Sequence, residues 1–385
     1  MRLLVFSHKE CWESDASPTK WATDGGFAMH MDYLSKLFDE TRIIVPQIDR
    51  MPKGEVFFTN NTITILPVNV WIKRGMFNKL FMPFWLLFYL PKFIYEIMKC
   101  DAIHAPIPSN IGTIGFMLAH LFQKPLYIRH CGNWFVQRTK AEQFWHWYME
   151  KFAGGKKVFL TTGGSKESPS LKNKHIQWIF SSSLTLQEIE SFDTKRNWDN
   201  PFRCCIVCRQ EKGKGTEIVI EALYKMKEKG INFTFDVVGD GSYLEELKRY
   251  AIEMQVEEQV RFYGKLNHEE VLKVLQKNNF FIYPTASEGF PKVVLEAMSQ
   301  GLLVITTPVS VLGQMIIDSK SGALLEERNA ENVIKSINLL LSDTNKLSEM
   351  SKNAIGYSKQ FTLEAWANEI GSHLEKAWNV KLNRI

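Results

Sequence analysis

The sequence predicts an α/β protein built from two doubly wound domains. At 385 residues the chain is longer than one hydrophobic core usually serves. Its composition, 45% hydrophobic and 23% charged, is typical of a folded globular protein. From residue 203 onward, short β-branched or aromatic runs alternate with helical stretches, a pattern that indicates parallel βαβ units with helices on both sheet faces.

The carboxyl-terminal half contains five strand-like runs, and a helical pattern follows each of the first four. The runs are FRCCIVC, FTFDVVG, VRFYG, NFFIYPT and LLVITT. Helix ends are predicted from capping-box spacing at Ser242 with Glu245 and at Asn267 with Glu270, from a first-turn proline at Pro291, and from a carboxyl-terminal glycine at Gly301.

The amino-terminal half repeats this pattern less regularly, with strand-like runs RLLVFS, TRIIVP, TITILPV, DAIHA and PLYIRH. We therefore expect a second open α/β sheet that faces the first across a cleft, with ligands beyond the carboxyl ends of the strands. The boundary is predicted in the polar segment before Pro201. It divides the chain into domains 1–187 and 188–365, and a final helix over about 366–385 is expected to pack back on the first domain.

Composition excludes several classes of protein. Six cysteines are too few for a disulfide scaffold, and the start MRLLVFSHKE lacks the order of a signal peptide, so we expect a cytoplasmic protein. Cys204, Cys205 and Cys208 lie on a predicted buried strand and are interpreted as core residues. Residues 1–187 hold 22 Lys and Arg against 14 Asp and Glu, a net charge of +8. No nucleic-acid-binding signature accompanies this basic half, so no nucleic-acid partner is expected.

Two acids flank a predicted helix start in TASEGFPKVVLEAMSQG. Glu288 stands in the loop after a buried strand, and Glu296 lies two turns into the following helix. The helix start between them suits phosphate or sugar oxygens. The alternative is structural, with Glu288 capping the helix and Glu296 pairing with Lys292 on a solvated face. Since Pro291 has no N–H, the backbone donors here would be Phe290, Lys292 and Val293.

Two further stretches suit a phosphate ligand. In VCRQEKGKGTE, Arg209 ends a strand and Lys214 follows five residues later, so both cations are expected at the same end of the sheet. A planar guanidinium and a mobile ammonium together suit a diphosphate, although a solvated basic loop is the alternative. In WATDGGFAMHM, Gly25 and Gly26 would let the backbone approach a ligand closely, or would form a plain turn.

The order of these features resembles that of the retaining glycosyltransferases of family 4, also called glycosyl transferases group 1, which have the GT-B fold of two Rossmann-like domains. The resemblance is strong from about 203 to 340, over Arg209-x4-Lys214-Gly215, VVGDGS, FYGKL and Glu288-GFPKVVL-Glu296-AMSQG. It is thinner in the amino-terminal half, where it rests on Gly25, Gly26, DAIHAPIP and His130 in PLYIRHCGNW.

The resemblance implies transfer of a sugar, with retention, from a UDP- or GDP-sugar to an acceptor hydroxyl. Arg209 and Lys214 would hold the diphosphate and neutralise the leaving group. Glu288 would orient the sugar, Glu296 would bind the ribose, and His130, for which a core histidine is the alternative, would lie near the reacting carbon. The other implied donor-binding positions are Gly25, Gly26, Gly239, Gly264, Lys265, Gly289, Phe290, Pro291, Lys292 and Val293.

The same resemblance implies no metal or other cofactor, and an acceptor that is a lipid-linked or surface-glycan intermediate of capsule or lipopolysaccharide type. The chain departs from the family at Cys208, at PVSVLGQMI, and at WIFSSSLTL, which stands where the family has Asn-Gly-Val. Two alternatives stay open: a nucleotide-sugar epimerase on the same fold, and a catalytically silent partner of a glycan-assembly complex. A dinucleotide oxidoreductase is disfavoured, because no strand precedes a G-x-G-x-x-G motif.

Segment 70–98 combines aromatic residues and leucines with several lysines and an arginine. Its longest apolar run is eleven residues, against the roughly 20 that a spanning helix needs. It therefore predicts either a buried helix or an interfacial surface that holds the protein at the inner face of the plasma membrane.

Overall fold

The structure is a computed structural model that describes nine stretches of the chain. They are 1–49, 55–69, 77–131, 134–164, 167–180, 182–191, 196–198, 201–231 and 233–385, with the backbone alone described over 77–82. The chain forms two compact units, the first comprising Met1–Phe180 with Leu363–Ile385 and the second Ser181–Thr362. The first unit gives way to the second between Phe180 and Ser181, before the expected boundary at 187/188. Leu184 therefore already belongs to the buried core of the second unit.

The first unit contains ten strands and five helices in the described residues. The strands are β1 (Arg2–Phe6), β2 (Cys11–Glu13), β3 (Trp21–Asp24), β4 (Glu40–Gln47), β5 (Glu55–Phe57), β6 (Ile63–Asn69), β7 (Ala102–Ile107), β8 (Leu126–His130), β9 (Lys157–Thr162) and β10 (Ile176–Ile179). The helices are α1 (Phe27–Ser35), α2 (Phe77–Lys99), α3 (Asn110–Leu121), α4 (Lys140–Phe152) and the final helix, α13 (Leu363–Trp378).

Seven of these strands form a parallel sheet in the order β10-β9-β8-β7-β1-β4-β6. The strand order reverses between β1 and β7, as in a doubly wound fold. Strands β2, β3 and β5 extend the sheet beyond β4, with antiparallel pairing on both sides of β3. Each of these three has only three or four residues, too few to show the alternation by which a strand is recognised in sequence.

Helices cover both faces of this sheet. Phe93 of α2, Ile114 of α3 and Trp145 of α4 belong to one buried cluster, whereas Leu34 of α1 and Trp366 of α13 belong to the other. Each side chain is at least nine-tenths buried, and burying such apolar area is the main stabilising term of the unit.

The second unit contains six strands and eight α-helices in the described residues. The strands are β11 (Phe202–Val207), β12 (Phe233–Val238), β13 (Val260–Gly264), β14 (Phe280–Tyr283), β15 (Leu303–Thr306) and β16 (Gly322–Leu324). The helices are α5 (Leu186–Glu190), α6 (Thr216–Glu228), α7 (Leu244–Glu253), α8 (His268–Gln276), α9 (Lys292–Ser299), α10 (Leu312–Ser319), α11 (Ala330–Leu341) and α12 (Thr344–Ser358), followed by a 3-10 turn at Lys359–Phe361.

All six strands of the second sheet are parallel, in the order β13-β12-β11-β14-β15-β16. The order reverses between β11 and β14, and ligands of open α/β sheets bind beyond the carboxyl ends of the strands at such a reversal. Arg209 follows β11, and Glu288 follows β14. Chain topology alone therefore brings the predicted cation loop and acid loop together.

The helix starts test the capping predictions. Asn267 and Glu270 form the expected capping box at the start of α8. The box predicted for Ser242 and Glu245 is wrong: α7 begins after Tyr243 without a side-chain cap. The Tyr243 N–H instead donates to the Gln210 carbonyl at 3.0 Å, so a neighbouring loop fixes this helix start.

The ends of α9 lie close to their predicted positions. Pro291 precedes the helix as its cap residue, one position earlier than expected, and Lys292 is the first helical residue. Gly301 follows the carboxyl-terminal cap with φ +71°, a left-handed conformation that favours glycine, which confirms the prediction there.

Candidate functional site

Three side chains meet where the order of the second sheet reverses. The Lys214 ammonium donates to Glu288 Oε2 at 2.9 Å, to the Tyr283 hydroxyl at 3.1 Å and to the Ser287 carbonyl at 3.3 Å. The Tyr283 hydroxyl donates to the same Glu288 oxygen. Lys214 and Glu288 are only 23% and 20% exposed, so this ion pair is shielded from much of the solvent. The sequence analysis predicted both charged residues but missed Tyr283.

Backbone geometry brings the Lys214 loop onto the end of β14. Gly213 and Gly215 both have φ above +90°, and the Gly213 carbonyl accepts from the Ala286 N–H at 2.8 Å. A Cβ on Gly215 would lie 2.3 Å from the Pro284 carbonyl oxygen. Glycine at this position is therefore required both by conformation and by close approach.

The protonation states follow from these contacts. Burial alone would raise the pKa of Glu288, but hydrogen bonds from Tyr283 and Lys214 outweigh it and lower that pKa. Burial and the adjacent carboxylate raise the pKa of Tyr283, so it remains a hydroxyl donor. Glu288 is thus an anion at neutral pH, and its Oε1 accepts only from the Gly289 N–H, at 3.1 Å, among the described residues.

Arg209 stands free of this buried group. Its guanidinium side chain is 74% exposed, and its Nη1 lies 3.4 Å from Glu211 Oε1, an ion pair of little energetic consequence at such exposure. A planar, accessible guanidinium at the carboxyl end of β11 can bind an anion with little loss of existing contacts.

Glu296 occupies a second buried cluster, which joins α5, α8 and α9. Its Oε1 accepts a hydrogen bond from the Ser183 hydroxyl and lies 3.7 Å from Nδ1 of His268. The other ring nitrogen of His268 lies 3.3 Å from Glu188 Oε1. Glu296 is 9% exposed, so the alternative of a solvated acid on the helix surface is wrong.

The environment of this cluster raises the pKa of His268. The Glu188 carboxylate raises the pKa of His268 more than burial lowers it, and Glu296 raises it further. Sequence gave no signal for His268 or Ser183 beyond the departure from the family pattern at WIFSSSLTL. Ser183, within that departure, contacts the acid predicted to bind ribose.

Loops after β12 and β13 converge near Arg209. The Gly239 N–H donates to the Gly264 carbonyl at 2.7 Å, and the Gln210 N–H donates to the Asp240 carbonyl at 3.0 Å. Gly239 has φ +117°, and a Cβ there would lie 1.8 Å from the Cys208 carbonyl oxygen. Gly239 and Gly264, both implied donor-binding positions, are therefore neighbours, and Lys265 follows Gly264 as an exposed residue.

The start of α9 offers fewer free donors than predicted. No side chain caps the helix, but the Lys292 N–H already donates to the Phe290 carbonyl at 3.0 Å. The Gly289 carbonyl accepts from the Ser310 hydroxyl at 2.9 Å, which fixes the loop between Glu288 and the helix. Pro291 and Val293 complete this turn.

The remaining predicted residues lie in the first unit. Gly25 has φ +64° with open space at its Cβ position, and Gly26 caps α1 without a side-chain hydrogen bond. His130 ends β8, is 1% exposed, and has Nδ1 3.4 Å from Thr161 Oγ1. Burial lowers the pKa of His130 to about 4, so it is neutral at pH 7. Its burial fits the core alternative, and its role near a substrate stays a prediction.

Comparison with known proteins finds sequence similarity to glycosyltransferases. Residues 188–357 match the family model of glycosyl transferases group 1. An uncharacterized glycosyltransferase of Methanocaldococcus jannaschii is 25% identical over 362 residues, covering 87% of this chain and 91% of that protein. The putative colanic acid biosynthesis glycosyltransferase WcaL of Escherichia coli is 28% identical over 161 residues, 40% of each chain. Several curated relatives thus match over only about two fifths of their own length.

A solved structure decides the fold. HepE of Anabaena, crystallised with UDP and glucose, has a TM-score of 0.65 to this chain at 16% identity, over 97% of this chain and 99% of HepE. The chain has the GT-B fold. The segment that matches the family model, 188–357, lies in the second unit of this chain. It contains the predicted site residues Arg209, Lys214, Glu288 and Glu296. These findings support the group 1 assignment, whereas family 4 and the retaining mechanism stay predictions.

Proposed function

We propose that this GT-B protein is a retaining glycosyltransferase that moves a sugar from a nucleotide-diphosphate donor to an acceptor hydroxyl. The observation that carries the proposal is the buried Lys214–Glu288–Tyr283 group at the strand reversal of the segment that matches group 1. A cation and an anion held together at this point supply charge for a leaving diphosphate and an acceptor for sugar hydroxyls.

Each charged group has a distinct part in the proposed reaction. Exposed Arg209 binds the diphosphate first, because its guanidinium has few contacts to lose. The three N–H groups of Lys214 already meet three acceptors, so this cation stabilises the departing diphosphate mainly by its charge. Glu288 Oε1 can accept from a sugar hydroxyl while Oε2 stays bound to Lys214.

The donor nucleotide is held further along the same strand ends. Glu296 has one oxygen occupied by Ser183 and His268, which leaves Oε2 for the ribose hydroxyls. The turn at Gly239 and Gly264 would lie against the base. A UDP-sugar is the favoured donor, because the structurally similar HepE was crystallised with UDP.

The first experiment is a thermal-shift panel of UDP, GDP, ADP and their sugar conjugates in the presence of EDTA. A nucleotide at about 100 times its Kd should stabilise the protein by roughly 2.7 kcal/mol. The shift should disappear in Arg209→Ala and persist in Lys212→Ala, a change to an exposed lysine of the same loop. A shift that requires added divalent metal would contradict the proposed metal-independent binding.

Product analysis then separates transfer from the alternatives. Incubation with donor and acceptor should give a glycosylated acceptor with retained anomeric configuration. A new nucleotide sugar formed from donor alone would instead identify an epimerase, and a folded protein that binds no nucleotide would favour a silent partner.

We propose a surface-glycan or lipid-linked intermediate as the acceptor, because a relative is named for colanic acid biosynthesis. No helix in the described part of the chain is long and apolar enough to cross a membrane. The outer face of α2 nevertheless exposes Phe84, Leu87, Phe88, Tyr95 and Met98, each more than half exposed. This exposed face supports the proposed peripheral membrane contact. Residues 70–76 of the predicted segment lie outside the described residues.

Flotation with vesicles tests the membrane contact. The double variant Leu87→Ser with Phe88→Ser should reduce co-migration with vesicles of acidic phospholipid, because it removes two exposed apolar side chains. No co-migration of the unaltered protein at low salt would remove this part of the proposal.

A further inference from the structure

A basic cavity lies at the amino ends of β9 and β10, at the edge of the first sheet opposite the carboxyl ends where ligands of such sheets bind. It has a volume of about 620 Å³ and is walled by the Gly154–Gly155 turn, the beginnings of the two strands and the last turns of α13. Among the described residues, every charged or titratable side chain that lines it is a lysine or a histidine: Lys156, Lys157, Lys174, His175, His373 and Lys376.

A smaller neighbouring cavity continues this basic region. It shares Lys156 and Lys157 with the first and adds His120 and Lys124 from the end of α3 and the loop after it. No aspartate or glutamate lines either cavity in the part of the chain that the structure describes. Among the described residues, none of the four lysines of the larger cavity forms an ion pair, so their positive charge is not neutralised by the protein. Like charges around one cavity repel one another, and a bound anion would relieve that repulsion.

The walls of the cavity are held in place by backbone contacts. The Lys156 carbonyl accepts from the Leu126 N–H at 3.1 Å and from the Trp378 indole N–H at 3.0 Å, which ties α13 to the sheet. Gly154 and Lys157 form a β-bridge, and Gly154 has φ +122° with His175 packed against it. The turn therefore presents its lysines from a fixed backbone, and less ordering is needed when an anion binds.

The residues around the cavity indicate the class of ligand. Lysine ammonium groups bind phosphate as compact point charges, and four lysine residues line this cavity. The volume exceeds what a single inorganic phosphate would fill. Phe152 borders the basic region, with the Lys157 ammonium 5.7 Å from its ring. Leu121, which follows His120 in the chain, is 73% exposed. Apolar side chains beside a phosphate site suit a headgroup attached to acyl chains.

We propose that this cavity binds a phosphate-bearing anion with at least two negative charges, either a lipid headgroup or a soluble diphosphate. Both sources present the same phosphate chemistry to the four lysines. The site uses none of the residues assigned to the nucleotide-sugar donor, and so it stands or fails independently of the proposed function.

Calorimetric titration with inorganic pyrophosphate tests the soluble source. The titration is done in an Arg209→Ala background, so that binding at the proposed donor site does not obscure the result. Adding Lys174→Ala and Lys376→Ala should weaken pyrophosphate binding about tenfold or more, because two charged contacts are lost. Both lysines are exposed, so the fold should be retained, and arginine at both positions should restore binding.

The matched control changes two exposed lysines of the second unit, Lys277→Ala and Lys352→Ala, which should leave binding unaltered. Sedimentation with vesicles of phosphatidate, compared with phosphatidylcholine alone, tests the lipid source in the same variants, each carrying Leu87→Ser and Phe88→Ser so that contact through α2 does not obscure the result. If only the Lys174 and Lys376 double variant loses pyrophosphate binding, the site takes a soluble diphosphate; if only that variant loses phosphatidate binding, the site takes a lipid headgroup. The proposal would be overturned if both double variants bound the probes equally, or if the protein with all four lysines intact bound neither probe.

Discussion

Replacing Lys214 with alanine tests the charged group on which the proposed function depends. The ammonium makes three hydrogen bonds, including a charged one of 2.9 Å to Glu288. A hydrogen bond to a charged group contributes about 1.5–3 kcal/mol. In the variant, Glu288 keeps its bonds from Tyr283 and Gly289, so we expect a loss near the lower end, about 1.5 kcal/mol. A protein with roughly 5–15 kcal/mol of stability should remain folded.

The loss of stability should depend on pH in a defined direction. The folded-state pKa of Glu288 is lowered, because hydrogen bonds from Tyr283 and Lys214 outweigh the effect of burial. A carboxylate of this kind stabilises the fold above its unfolded pKa of about 4.3, and the contribution is lost as pH falls through the folded value. In urea unfolding, Lys214→Ala should therefore have a lower free energy of unfolding than the unaltered protein at pH 7. This difference should disappear as the pH falls to the folded-state pKa of Glu288.

Turnover in the proposed transfer reaction supplies the functional measurement for the same variant. We expect Lys214→Ala to reduce turnover at least about tenfold, or about 1.4 kcal/mol in the barrier. Combining it with Glu288→Gln should cost less than the sum of the two single changes, because the two side chains are in contact. Lys212→Ala, in the same loop but 76% exposed, is the matched control. Equal turnover of Lys214→Ala and Lys212→Ala would refute the assignment of Lys214 to the site.

Three further changes test other parts of the second unit. Glu288→Gln keeps the side-chain shape but removes the charge, so turnover should fall about tenfold or more with little change in melting temperature; unchanged turnover would remove Glu288 from the site. Gly239→Ala should destabilise the protein by about 1–3 kcal/mol in urea unfolding, because φ at Gly239 is +117° and the new Cβ would meet the Cys208 carbonyl. Gly230→Ala is the control and should destabilise less, because there is open space at its Cβ position. Equal losses of stability in the two variants would contradict the steric argument. His268→Gln should destabilise most below about pH 6.5, the unfolded pKa of histidine, and progressively less as pH rises through the raised folded pKa; a loss that is constant from pH 5.5 to 9 would show that His268 is not charged between its two carboxylates.

Sequence periodicity was sufficient for the two sheets. Strand β14 is buried along its whole length, as are Cys204, Cys205 and Ile206 in the middle of β11, and such runs of apolar residues are recognisable in the sequence. The capping box at the start of α8 is a purely local signal. Local sequence signals did not predict the elements whose position is set by contacts with distant parts of the chain. At α7 a loop carbonyl fixes the helix start, and the short strands β2, β3 and β5 depend on pairing with distant parts of the chain.

By itself the sequence determined which residue types stand at the ends of the strands. Arg209, Lys214 and Glu288 could be assigned to one edge of the sheet because parallel strands end at the same edge. That β11 and β14 are neighbours in that sheet is known only from the strand order of the structure. Only the tertiary structure decided which partners these residues have. Tyr283 lies on a strand that reads as pure core, yet its hydroxyl reaches Glu288.

Glu296 also shows what the sequence predicts and what only the tertiary structure decides. Local spacing on α9 made Glu296 a candidate partner of Lys292, but the packing of α5 and α8 buries it against Ser183 and His268 instead. The basic cavity, too, depends on the return of α13 to the first unit, because Lys376 lies 202 positions after Lys174 in the chain. Contacts between residues so far apart leave no periodic trace in a sequence, whereas helices and strands do, because their hydrogen bonds and burial repeat over a few neighbouring residues.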